Sequence, residues 1–185
     1  MLQIKHTGCS PEQLLFCRST DYGAFTLVGL GEEWKSEGQS EDKIRNAYSE
    51  IAKILEDKNC FILSTCEDGL IFDSIINRER IAAPFRDDVL HEADEEYSPF
   101  DRDMNPMWDK YMKWLSCTLN KKLVILEMGC LLGKDMRIVR WPFEKTVMYN
   151  LKSELIRVNE TCPFIPAEIS ERATSIKCNS VDFLL

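Results

Sequence analysis

The stretch "KLVILEMGCLLGKDMRIVRWPFEK", Lys122 to Lys145, decides the fold class. An apolar run ends in Gly129, crosses a short loop holding Gly133, and restarts at "RIVRWPFEK". A short unbroken apolar run bounded by glycine reads as a strand buried on both faces, as in parallel sheets. The text beyond it, "IVRWPFEKTVMY", is mixed and gives no clean period.

The same pattern recurs on either side. Ala24 to Val28 reads as a buried strand broken by Gly29 and Gly31. After the polar loop "KSEGQSED", Ser40 or Asp42 caps a helix with Ile44, Ala47, Tyr48, Ile51, Ala52, Ile54 and Leu55 at helical spacing. Cys60 to Ser64 is another short apolar strand, and a turn at Glu67, Asp68 and Gly69 leads into "LIFDSIINRER", a short helix. "RIAAPF" is a short strand stopped by Pro84. Residues 86–107 are the most charged and least periodic part, an acidic loop or excursion. "WDKYMKWLSCTL" returns to helical spacing, with Trp108, Tyr111, Met112, Leu115 and Leu119 on one face. "SELIRVNE" is a strand, and Pro163 and Pro166 precede "AEISERATSI", a last helix or turn. Near the N-terminus, Ser10 and Pro11 mark a short helix at best. Strands alternating with amphipathic helices predict an α/β fold with a parallel sheet, in one domain over residues 1–185. Such sheets bind ligands at the carboxyl ends of their strands.

Composition excludes several classes. The net charge is −8, with no basic stripe, which argues against nucleic acid and against an anionic membrane surface. The eight cysteines form no CxxC and only two histidines accompany them, so no zinc constellation has the usual spacing. No apolar run approaches bilayer length, and "MLQIKHTGCSPEQ" lacks the apolar core of a signal peptide. Free thiols inside apolar runs then point to a reducing compartment, the cytoplasm. Arg137, Arg140 and Lys145 concentrate positive charge in an acidic chain just after the glycine loop, where a phosphate or an acidic partner could be met; the bland alternative is salt bridges to the chain's own carboxylates.

At this point the residues resemble a known family. "FILSTCEDGL" is similar to a strand and turn of the sirtuins, the silent-information-regulator family. The text from Trp108 to Lys145 resembles the C-terminal half of a bacterial sirtuin branch, where an E-L-G-V-G-like loop precedes I-R-F-P-F-E-like text. "ELIRVNE" and "IPAEISERATSI" resemble the elements that follow, so the likeness covers residues 41–85 and 108–180. The resemblance implies a Rossmann-like fold with helices on both faces of the sheet, binding NAD or ADP-ribose. Carried over by position, Gly129, Cys130 and Leu131 match the loop that contacts ribose and phosphates. Asn159, followed by Glu160, matches the adenosine contact. Cys66 and Asp68 match the residues around the nicotinamide, and Gly29 and Gly31 match the first glycine loop.

The departures bear on activity. Cys66 stands where the resemblance expects a catalytic asparagine, and Ile71 where a histidine often follows. The region of the deacetylase base reads "IAAPFRDD", with Phe85 the nearest equivalent. The four-cysteine zinc module is absent, and the acidic excursion takes its place. Glu32 and Glu33 would face phosphates, and a like-charge contact at 4 Å costs about 1 kcal/mol even in bulk water. The expectation is a nucleotide-binding sensor or regulatory partner without deacetylase activity or zinc. One alternative is NAD cleavage or ADP-ribosyl transfer, with Asp68 and His91 as the nameable polar groups. Another is a scaffold, because Cys130, Leu131 and Leu132 are apolar where a ligand loop prefers hydroxyls. A protein partner or a homo-oligomer is compatible with each. Asp68 also reads as a helix cap, and Glu127 as an acceptor for a ribose hydroxyl or a backbone N–H.

Overall fold

The computed structural model describes residues 24–85 and 106–185. The expectations for Ser10, Pro11, His91 and the acidic text 86–105 lie outside them. In chain order the elements are β1 (Phe25–Leu30), α1 (Glu41–Leu55), β2 (Asn59–Ser64), β3 (Ile81–Ala82), α2 (Pro106–Ser116), β4 (Leu123–Met128), α3 (Trp141–Tyr149), β5 (Ser153–Val158) and β6 (Ala173–Ile176). The six strands form one parallel sheet in the order β3-β2-β1-β4-β5-β6. This is the doubly wound, Rossmann-like arrangement, with β1 and β4 side by side at the centre.

Alternation along each strand sorts the core into two layers. Val28, Leu30, Ile62, Leu126, Met128, Ile156 and Val158 point to the face covered by α1 through Ile44, Ala47, Tyr48 and Ile51. Leu27, Phe61, Leu63, Ile125 and Leu155 point to the opposite face, under Tyr111 and Trp114 of α2 and Phe143 and Val147 of α3. The central strands are buried on both faces because each face carries its own helices, and that is why they read as unbroken apolar runs.

Several expectations change. Gly29 does not break β1, which runs on to Leu30. A Cβ at Gly29 would lie 2.3 Å from Val139 Cγ1 and 2.6 Å from Phe143 Cε2, so the missing side chain admits the helical layer. "LIFDSIINRER" forms two 3-10 turns, Leu70–Asp73 and Arg78–Arg80, instead of one helix. On α2 the buried residues are Tyr111 and Trp114, while Met112 is exposed, and Leu119 lies beyond the helix end and is exposed too. Pro106 and Met107, placed by the sequence in the excursion, already belong to this helix. "IVRWPFEKTVMY" is helical throughout, a wide π turn at Met136–Arg140 leading into α3. Pro142 has no N–H to close the ordinary ladder, and the wider turn lies immediately upstream of it. "AEISERATSI" divides into a 3-10 segment, Ala167–Arg172, and edge strand β6. No helix among the described residues is long and apolar enough to cross a membrane.

Candidate functional site

The sheet order reverses between β1 and β4, so the crevice at their carboxyl ends is where a doubly wound fold meets its ligands. Here the two loops that flank it are in contact. Gly31 N donates to Met128 O at 3.0 Å, Glu33 N to Gly129 O at 3.2 Å, and Gly129 N to Val158 O at 2.9 Å. A Cβ at Gly31 would sit 2.4 Å from Cys130 Cα, a backbone clash with no flexible neighbour to yield. Gly129 adopts φ +68°, a conformation glycine takes without steric cost.

Two carboxylates bridge the loops at the crevice. Asp135 follows the β4 loop at the start of the helical stretch. Its Oδ2 accepts from Leu131 N at 2.8 Å and from Glu32 N at 3.1 Å, while its Oδ1 accepts from the Thr65 hydroxyl. Burial pushes the Asp135 carboxyl above its ordinary value, and the Thr65 hydroxyl and the two N–H groups pull it back. Glu33 lies on the other side: its Oε1 accepts from Glu160 N at 2.9 Å and its Oε2 from Ser180 N at 2.6 Å. Four backbone N–H groups from four loops therefore converge on two carboxylates of the chain itself. Convergent backbone N–H groups at strand ends are the means by which such folds bind anions.

A ring of alternating charge lies outside. Lys35 pairs with Glu32 at 2.7 Å and Glu67 at 3.7 Å; Lys134 pairs with Glu32 at 3.4 Å and also with Glu67. The Lys134 hydrogen bond holds the Glu67 carboxyl below the usual range. Behind the crevice, Glu127 is fully buried and grips Arg157 with both oxygens, at 2.7 and 2.6 Å. Arg157 also reaches Glu144 at 2.7 Å. Burial pushes the Glu127 carboxyl up against the pull of Arg157. Arg140 donates to Cys162 O at 2.8 Å and Phe164 O at 3.0 Å, fixing the loop after β5. Glu127 thus takes a third role, the bidentate partner of an arginine, in place of the two acceptor roles expected. Among the described residues, Arg140 alone of the three cations singled out in the sequence joins the internal network.

The residues assigned by resemblance divide into groups. Gly31, Cys66, Gly129, Cys130, Leu131, Asn159 and Glu160 come together around the crevice, each engaged with the protein. Asn159 Nδ2 donates to Cys130 O at 2.7 Å, and its Oδ1 accepts from Cys162 N at 2.6 Å and Thr161 N at 3.0 Å. The Cys66 thiol donates to Gly31 O at 3.4 Å, and burial pushes it up to about 12. Cys130 is buried and its thiol is pushed well up for the same reason. Neither is a thiolate at neutral pH, and the thiolate is the nucleophile. Asp68 accepts from Ser36 N at 3.0 Å and Leu70 N at 3.2 Å, tying the β1 loop to the turn after β2 as well as capping it. Gly29 faces the helical layer and not the crevice.

Sequence reading missed Asp135, Thr65 and Ser180, and assigned Glu33 to repulsion instead of to acceptance. An aspartate opening a helical stretch just after a strand and glycine loop was the available signal for Asp135. Among the described residues, no three His, Cys, Asp or Glu side chains are grouped to hold a metal ion. No protein-family model matches the chain, and a search of curated proteins finds no match.

Proposed function

We propose that this chain is a sirtuin-like, Rossmann-fold interaction module whose dinucleotide crevice is bridged by its own carboxylates, and that it works by binding protein, without consuming NAD. The observation that supports this is the capture of the Glu32, Leu131, Glu160 and Ser180 N–H groups by Asp135 and Glu33. A phosphate brought to 4 Å from either carboxylate meets a repulsion of about 4 kcal/mol at the effective dielectric of a protein surface. The free cysteines 60, 66, 117, 130, 162 and 178 suit a cytoplasmic setting for such a module.

Thermal unfolding with 1 mM NAD, NADH, ADP-ribose or ATP tests it. The expected result is no shift above 1 °C. A ligand at a hundred times its dissociation constant stabilises by about 2.7 kcal/mol. In a domain of this size that is a rise of roughly 5 to 10 °C, and such a rise overturns the proposal.

A second reading, a sensor for NAD or ADP-ribose, rests on the same convergence of N–H groups. Asp135 is buried at a cost that shows in its raised pKa, and a ligand phosphate would take its place. In that case Asp135→Asn combined with Glu33→Gln gains a nucleotide-dependent shift larger than that of the wild type. NAD cleavage or ADP-ribosyl transfer has less support, because both carboxylate oxygens of Asp68 are committed to backbone N–H groups.

A further inference from the structure

The outer face of α3 and of the turn before it carries Arg137, Trp141, Lys145 and Tyr149, spaced one turn apart and all exposed. Trp141 is 55% exposed and Tyr149 75%, and Leu151, in the turn that follows, is 74% exposed. These are large rings in water on a helix whose other side is fully packed through Phe143 and Val147. The Lys145 ammonium sits 3.7 Å from the centre of the Trp141 ring, so the cation and the ring form one surface. Arg137 and Lys145 have no ion-pair partner among the described residues, although the chain carries 31 acidic side chains against 23 basic ones. Lys43, Arg45, Lys53, Lys110 and Lys113 are each paired with a carboxylate, while exposed Lys152 and Lys177, like Arg137 and Lys145, have no ion pair among the described residues.

We infer that this face is a docking surface for an acidic peptide segment of a partner protein. Tryptophan, tyrosine and arginine are the side chains that carry most binding energy in protein interfaces. Two unpaired cations beside exposed rings select carboxylates, and the aromatic rings and Leu151 select apolar side chains between them. A second copy of this chain fits less well. A two-fold contact through this face gathers the cations of two copies into one interface whose exposed positions 137, 141, 145 and 149 carry no carboxylate to pair them, and it also brings together two chains of net charge −8. The inference does not depend on the state of the crevice and goes beyond the reading proposed above.

The probe is a fluorescein-labelled peptide, EEDFEELEDFEE, followed by anisotropy, with QQNFQQLQNFQQ as its neutral counterpart. The expected result is saturable binding of the acidic peptide only, weakened about tenfold between 50 and 300 mM NaCl as screening shortens the reach of the cations. Trp141→Ala should weaken it about tenfold, and Arg137→Glu with Lys145→Glu should abolish it. Because these side chains are exposed, each variant should melt within about 2 °C of the wild type, which separates lost binding from lost fold. Three results overturn the inference: no binding of the acidic peptide, equal binding of the neutral one, or binding untouched by all three substitutions. A dimer in sedimentation velocity that Trp141→Ala dissociates would assign the face to a second copy and overturn it as well.

Discussion

Replacing Asp135 by alanine removes the acceptor for two backbone N–H groups and one hydroxyl in a buried crevice. Hydrogen bonds to a charged group contribute about 1.5 to 3 kcal/mol each, and their losses do not add when one side chain serves them all. A total loss of about 3 to 5 kcal/mol follows, of the size that singles out a buried polar network among point substitutions. For a chain of this length that is a fall in melting temperature of roughly 6 to 20 °C. The void left is the size of a carboxylate and is lined by N–H donors, so formate should enter it. At 100 mM formate and a dissociation constant near 20 mM, the variant regains about 1 kcal/mol beyond any effect on the wild type. Urea unfolding in matched chloride and formate buffers reads both quantities. The sign of the pH dependence is a further check. The folded state holds the Asp135 proton more tightly than the unfolded chain, whose carboxyl has the ordinary value of 3.8. The stability from this titration is therefore present below pH 3.8 and is lost as pH rises through the folded value. The cost of Asp135→Ala should accordingly be larger at pH 4 than at pH 7. Glu67 runs the opposite way, its contribution present above its ordinary value of 4.5 and lost as pH falls. A loss under 1 kcal/mol, or an equal formate effect in both proteins, would refute the assignment of Asp135 as an internal anion.

Three other expectations follow from buried groups. Arg157→Met leaves Glu127 without its bidentate partner in the core and should cost about 3 to 5 kcal/mol in urea unfolding, with partial recovery when Glu127→Gln is added. Among the described residues the buried Tyr48 hydroxyl has only the weakly polar Cys66 thiol beside it, so Tyr48→Phe should stabilise by about 1 kcal/mol; destabilisation of that size would mean that the thiol serves as an effective partner. In thiol titration with Ellman's reagent, exposed Cys117 should react at once, and Cys66 and Cys130 only on unfolding.

The sheet was legible because burial on both faces leaves an unmistakable mark. Cys60 to Ser64, "KLVILEMG" and "SELIRVNE" read as strands and hold β2, β4 and β5, and the apolar positions of α1 read as a helix from its period. The misreadings fall where a single residue overrides the pattern. Gly29 looked like a terminator, although its function is to admit Val139 and Phe143 to the sheet. Pro142, with the β-branched Ile138, Val139, Thr146 and Val147 on either side, hid a helix that begins with a π turn. Strand β6 carries no pattern because all four of its residues are half-buried. The site was legible as a place and not as an arrangement. The glycine loop and Asn159 marked the β4 and β5 ends, but nothing in one dimension tells that Glu33 reaches residues 127 and 147 positions further on. Long-range pairing of that kind depends on the sheet order, which the apolar runs leave undetermined.

The edges of the sheet bear on how any other chain could add to it. Strand β3 spans two residues and β6 four. A visiting peptide laid alongside either would find only that much backbone to pair with, too little to register or hold an added strand. Short edges of this kind are one of the ways sheets are guarded against edge-to-edge pairing. Among the described residues, the larger surfaces open to another chain are those of the helical layers, where sequence can tune a contact residue by residue.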